Sequence, residues 1–173
     1  MRKMFTTQLA GLFKRILDKT DFEIEDSARL LAQALVGEGS IYIKGFKEME
    51  GVVLEALEGE EKLDNAFAFQ NIDDLTIADR VLVISRYSDD IEAVALANAL
   101  IEKGIPFVAI SGDKKTGENS LVELADFHIN TQVVKPMLPN MDGTRVGFPS
   151  LIAALYIYHS LKFTMDEILE DYL

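Results

Sequence analysis

Asp79-Arg-Val-Leu-Val-Ile-Ser-Arg-Tyr-Ser-Asp-Asp-Ile-Glu92 is a buried strand that runs into a polar turn and then into the start of a helix. Val81 to Ile84 is a continuous apolar and mostly β-branched run, as expected of a strand covered on both faces. Ser85 to Asp90 interrupts it, and apolar residues then recur at Ile91, Val94, Ala95, Ala97 and Leu100 with helical spacing. Ser88, Asp89 or Asp90 can cap that helix, with Glu92 in its first turn. Gly104 closes the helix and Ile105 to Ile110 reads as a second apolar strand. Strand, helix and strand in about 30 residues make a βαβ unit with parallel strands and a right-handed crossover. Such sheets bind ligands at the carboxyl ends of their strands, where helix-start N–H groups attract anions.

Upstream, Ser40-Ile-Tyr-Ile-Lys44 reads as a first strand and Gly45-Phe-Lys-Glu-Met-Glu-Gly51 as the turn after it, leading into a helix that ends near Leu57. Gly45 serves either a tight turn or the close approach of a ligand. Leu63 to Phe69 reads as a short strand at an edge, and Asp73-Asp74 as the cap of one helical turn. Before the first strand lie two amphipathic helices, about 4–18 and 23–36. That is more helix than a minimal doubly wound domain needs, so the segment 4–36 is expected to pack against another subunit in a homodimer or homotetramer.

Downstream, Ser111-Gly-Asp-Lys-Lys-Thr-Gly-Glu-Asn-Ser120 is the most polar and turn-rich segment, at the same sheet edge as the turn after Ile84. Ser120 and Glu123 have the spacing of a capping box before a short helix, and Asp126 to Thr131 reads as the last strand. Residues 133–149 hold three of the four prolines and two of the eleven glycines, and read as a long irregular loop, functional or at a subunit contact. Pro149 then opens an apolar helix to about Leu161. Thr164 and Glu167 mark a second capping box and a separate terminal helix, Met165 to Tyr172.

At 173 residues and 49% hydrophobic content, the chain suits one domain spanning 1–173. Its net charge of -12 disfavours nucleic acid and anionic membranes. The absence of cysteine excludes disulfides, thiolate metal sites and a Cys nucleophile. The first residues lack an unbroken apolar core, and no run reaches the roughly 18 apolar residues that span a bilayer, so a cytoplasmic location is the expectation. Two separated histidines offer no metal-ligand spacing. Neither a G-x-G-x-x-G nor a P-loop nor a nucleophile elbow is present, so no metal and no cofactor is expected.

The element order resembles that of the SIS (sugar isomerase) domain, a flavodoxin-like fold that binds phosphosugars. Gly39-Ser-Ile-Tyr-Ile-Lys-Gly45 resembles its first strand and glycine turn, Ala78-Asp-Arg-Val-Leu-Val-Ile-Ser85 its second such unit, and Gly104-Ile-Pro-Phe-Val-Ala-Ile-Ser111 and Leu124-Ala-Asp-Phe-His-Ile-Asn130 the next two strands. The resemblance covers roughly residues 35–165. It implies an α/β three-layer αβα sandwich around a parallel sheet of about five strands. The family's central turn reads Ser-x-Ser-Gly-x-Thr-x-Glu around a sugar phosphate. Here Ser85 and Glu92 match, while Tyr87 stands for the second Ser, Ser88 for the Gly and Asp90 for the Thr.

The resemblance implies that Ser85, Arg86 and Ser88 hold a phosphate, with Ser111 and Lys114 or Lys115 closing over it and Gly45 and Lys47 at the first turn. Asp90 opposes the ligand's charge, and Arg86 compensates by pairing with Asp90 or with the phosphate. Aldose–ketose isomerisation needs a base and an acid. The similarity to phosphoheptose isomerases places a glutamate on the helix after the first strand and a histidine on the last helix. Glu48, Glu50 or Glu55 and His159 are the candidates, whereas His128 reads as packing within a strand. The expected ligand is a phosphorylated sugar or related metabolite. The alternative is a non-catalytic sensor that binds a sugar phosphate or nucleotide sugar and regulates a partner.

Overall fold

A computed structural model describes residues 1–172. Helices α1 (Arg2–Lys19) and α2 (Asp21–Val36) precede strand β1 (Ile41–Gly45), a 3-10 turn (Lys47–Met49) and α3 (Glu50–Glu58). The chain continues through β2 (Ala66–Ala68), β3 (Arg80–Tyr87), α4 (Ile91–Lys103), β4 (Phe107–Gly112), α5 (Leu121–Leu124) and β5 (Phe127–Asn130). A short hairpin, β6 (Leu138–Pro139) and β7 (Arg145–Val146), leads to the long α6 (Ser150–Glu170).

The central sheet has five parallel strands in the order β2-β1-β3-β4-β5. Alternation along the strands divides the core. Leu82, Ile84, Val108 and Ile110 pack under α2, α3 and α6, and Val81, Val83, Phe107 and Ala109 pack under α4 and α5. From β1 the chain steps outward to β2 at the edge and then crosses back to β3 on the other side of β1. The strand order therefore reverses between β1 and β3, which opens a crevice beyond their carboxyl ends.

Several local expectations are corrected. The terminal helix is not separate, because α6 runs unbroken through Thr164. Its hydroxyl donates to the Ser160 carbonyl one turn back at 2.8 Å instead of capping a new helix. The cap of the turn at 72–74 is Asn71, whose side chain accepts from the Asp73 N–H at 3.0 Å, rather than Asp73-Asp74. The Ser120 side chain makes no cap bond, and the Glu123 carboxylate accepts from the Asn119 N–H instead at 3.1 Å. Segment 133–149 is more ordered than its proline content suggests. Gly143 takes a φ of +86° at the hairpin turn, and the Arg145 guanidinium donates to the Pro136 and Met137 carbonyls at 3.0 and 2.9 Å.

Candidate functional site

Gly45 ends β1 where the following turn folds straight back over it. A Cβ there would lie 2.3 Å from the Met49 carbonyl oxygen, so glycine is required by the backbone itself. The tight turn buries Met49 in the core and leaves Glu48 facing the crevice beside the end of β3. Arg86 meets it there. Its Nε donates to Glu48 Oε1 at 2.7 Å and its Nη2 to Oε2 at 2.8 Å, a two-pronged pairing that fits the planar guanidinium. The Ser150 hydroxyl, from the first turn of α6, donates to the same Oε1 at 2.9 Å. The Arg86 hydrogen bonds hold the Glu48 carboxyl below the usual carboxylate range against the opposing effect of burial, and they raise Arg86 in turn. Arg86 thus compensates Glu48, not Asp90.

These three residues form the polar side of a cleft of about 480 Å³. Its remaining walls are Phe5, Tyr87, Phe148, Pro149 and the α6 residues Leu151 and Ile152. Tyr87 and Phe148 meet edge to face with ring centroids 6.0 Å apart.

On the other side of the turn after β3, Ser85 and Ser88 are fully buried. Asp90 stands at the N-cap position of α4, but its carboxylate points back into the loop. Its Oδ2 accepts from the Ser85 hydroxyl at 2.5 Å and from the Tyr87 N–H at 3.1 Å. The chain's own carboxylate therefore occupies donors that would serve a bound anion. The Ser88 hydroxyl has no hydrogen-bond partner among the described residues. A second cavity of about 390 Å³ lies beside this loop, lined by Phe46, Lys47, Asp89, Asp90, Glu92 and Lys114 among others. Lys114 pairs with Asp89 at 3.2 Å and places its ammonium 4.7 Å from the centre of the Tyr87 ring.

The remaining candidates are dispersed. Lys115 is a loop residue at φ +55°, its N–H bonded to Asp113 at 2.7 Å. Ser111 is fully buried and lies 2.7 Å from His128 Nε2. Glu50 lines a separate pocket with Gly45, Lys44 and Gln70. Glu55 on α3 and His159 on α6 approach to 4.0 Å, while His159 Nδ1 donates to the Leu155 carbonyl at 2.8 Å. Neither Glu55 nor His159 is among the residues lining the 480 Å³ cleft.

Burial pushes the His128 imidazole down to about 4, only partly offset by Asp113. The unfolded chain takes up that proton near 6.5. Stability is therefore expected to fall as pH drops from about 6.5 to about 4 and to level off in this term below that, by at most about 3 kcal/mol. Urea unfolding of wild type and His128→Gln across that interval checks it: the variant should lack this part of the slope, and parallel curves would refute the assignment.

Ser150, Phe148 and Phe5 join the site without having been candidates. Phe148-Pro149-Ser150 announces a helix start, but its meeting with Glu48 spans 102 positions and depends on how α6 lies across the sheet.

Parallel strands in this order between layers of helices make a flavodoxin-like fold of the kind found in sugar isomerase (SIS) domains. Residues 1–169 match the family described as "Domain of unknown function (DUF2529)", and the chain belongs to that family. It is 45% identical over 173 residues to the uncharacterized protein YwjG of Bacillus subtilis (strain 168), covering 99% of each chain. Among solved structures it resembles c3406 of E. coli CFT073, solved as a ligand complex, with a TM-score of 0.72 and 14% identity over 97% of this chain and 89% of that one. It also resembles the phosphoheptose isomerase GmhA of Neisseria gonorrhoeae, with a TM-score of 0.65 and 13% identity over 96% and 98%. At these identities the likeness is one of fold.

Proposed function

We propose that this protein binds a phosphorylated sugar at the carboxyl edge of its sheet. The observation that carries this reading is the turn that leads from β3 into α4 at the strand-order reversal, where the fully buried Ser88 hydroxyl has no hydrogen-bond partner among the described residues and Lys47 and Lys114 line the adjoining cavity together with Asp89, Asp90 and Glu92. Helix-start N–H groups and an unpartnered hydroxyl suit an anion, which would have to displace the Asp90 carboxylate from the loop and compete with Asp89 for Lys114. The phosphoheptose isomerase among the structural neighbours supports the same ligand class.

Binding without turnover is the form of this reading that the site favours. Glu48 is locked as a carboxylate by Arg86, which suits a positioning role better than proton abstraction. One observation supports isomerisation as a second reading: Glu55 and His159 bring a carboxylate and an imidazole to 4.0 Å, the two groups the reaction requires. The reading extends to assembly, with α1 and the start of α2 at a subunit contact, since Met4, Leu17 and Phe22 are exposed there.

Thermal melting against sugar phosphates and inorganic phosphate tests the proposal. A ligand at 100 times its Kd adds about 2.7 kcal/mol to stability. The expected result is a rise in Tm with at least one sugar phosphate that is reduced in Lys114→Ala, a half-exposed substitution with little cost to folding. No shift with any of them would sink the reading. Turnover of the bound sugar phosphate that His159→Ala abolishes, with the Tm shift intact, would establish the isomerase instead.

A further inference from the structure

We infer that the chain carries a further anion site, away from the turn after β3, in which Arg15, Lys135 and Arg145 hold a phosphate or diphosphate group. The site lies where α1 faces the segment that links β5 to the β6–β7 hairpin, and it does not depend on the phosphosugar reading above.

A cavity of about 180 Å³ opens there, with Gln8 and Arg15 lining it from α1, residues 132–137 from the link and Arg145 from β7. No Asp or Glu is among the residues that line it. The three cations are exposed, and none of them makes an ion pair among the described residues. Arg86 and Lys114, by contrast, each face a carboxylate of the chain, at 2.7 and 3.2 Å. The carboxylates closest along the chain are engaged elsewhere. Asp18 pairs with Lys14 at 3.5 Å, Asp113 accepts from the Lys115 N–H at 2.7 Å, and Asp142 accepts from the Thr144 N–H at 2.9 Å.

This local surplus of positive charge is written into the sequence. Of the 29 Asp and Glu, none lies in residues 1–17 and one, Asp142, lies in residues 127–165. All three cations come from these two stretches, so the walls are basic in a chain whose net charge is -12. Charges at the surface are screened beyond about 8 Å at physiological ionic strength. An arriving anion therefore responds to the nearby cations more than to the chain's overall charge.

Arg145 is the fixed member of the three. Its Nε and Nη2 donate to the Pro136 and Met137 carbonyls at 3.0 and 2.9 Å, which orients the guanidinium and leaves three of its five N–H groups for a ligand. A tetrahedral phosphate presents oxygens in several directions and up to two negative charges, so it can meet cations brought from three separate segments. A monocarboxylate has one charge and two oxygens in one plane, and would leave a cation unmatched. The small volume admits the phosphate group itself and leaves whatever it is attached to at the mouth. Free diphosphate and an anionic lipid carry the same group, and a concave site between three segments favours the free ion.

The experiment is calorimetric titration of the full chain with diphosphate and with acetate. It compares wild type, the pair Arg15→Gln with Lys135→Gln, the single variant Lys114→Ala, and the pair Lys3→Gln with Lys62→Gln, which removes the same charge from exposed positions elsewhere. Melting curves check that each variant folds. Wild type is expected to bind diphosphate and not acetate at the same concentration. Losing Arg15 and Lys135 should weaken that binding by at least about tenfold, while the other variants keep it. Equal weakening by the two pairs would reduce the effect to overall charge and overturn the inference, as would no response to diphosphate at all. Binding lost in Lys114→Ala but kept without Arg15 and Lys135 overturns it too, and leaves the phosphosugar reading standing. The reverse pattern upholds this site whatever becomes of the turn after β3. Retention on phosphatidic acid vesicles without a response to free diphosphate would assign the face to a membrane and overturn the inference.

Discussion

Replacing Asp90 by threonine is expected to tighten phosphate binding by roughly tenfold or more, which corresponds to about 1.4 kcal/mol. In the structure Asp90 Oδ2 takes the Ser85 hydroxyl at 2.5 Å and the Tyr87 N–H at 3.1 Å, so two donors of the loop are spent on the chain's own carboxylate. An incoming phosphate must displace that carboxylate and then lie beside it. Two like charges about 4 Å apart repel by about 4 kcal/mol at an effective dielectric of about 20, and solvent at this half-buried loop screens much of it. Threonine removes the charge, frees both donors and adds a hydroxyl of its own. Titration with inorganic phosphate and one sugar phosphate measures the gain. Unchanged affinity would mean that the anion does not use this turn, and the search would move to the Arg86 cleft. A parallel Asp90→Asn variant separates charge from geometry, because asparagine keeps an acceptor for Ser85 while removing the repulsion.

The sheet was legible because β3 and β4 carry apolar runs too long and too β-branched to lie on a wet face, and because a 13-residue amphipathic helix joins them. The charged ends of the turns were harder. Arg86 lies near the end of β3 and Glu48 follows β1, 38 positions apart, and only the parallel pairing of Gly45 with Ile84 makes them neighbours. Read along the chain, Arg86 has a nearer candidate in Asp90. In three dimensions Asp90 is already engaged by Ser85 and the loop N–H, and the planar carboxylate of Glu48 offers both oxygens. The hairpin in 133–149 was hidden for a different reason. Its strands are two residues each, too short for any alternation to register, and its order comes from turn bonds such as the Thr144 N–H to Asp142 at 2.9 Å.

Gly45→Ala is expected to be the most damaging single methyl that the site can receive, lowering stability by about 3 kcal/mol and Tm by about 10 °C. The added carbon would lie 2.3 Å from the Met49 oxygen, 2.5 Å from its carbonyl carbon and 2.8 Å from the Glu50 nitrogen. All three atoms are backbone, so no side chain can rotate away. The backbone cannot retreat either, because Met49 is fully buried beneath α3 and the Phe46 N–H is fixed to the Ile84 carbonyl at 3.0 Å. Relief has to come from shifting the whole turn, which carries Glu48 away from Arg86 and Ser150. Gly51→Ala is the matched control. Its Cβ would meet only the Leu151 methyl and branch carbons, the nearest at 3.0 Å, and a leucine rotamer change accommodates that for under about 1.5 kcal/mol. Thermal melting of the two variants side by side decides the matter. If Gly45→Ala melts with Gly51→Ala, the turn is plastic and Glu48 is not held where the structure puts it. If it melts far below and also loses its phosphate response, the glycine sets the position of the site's central carboxylate through backbone packing alone.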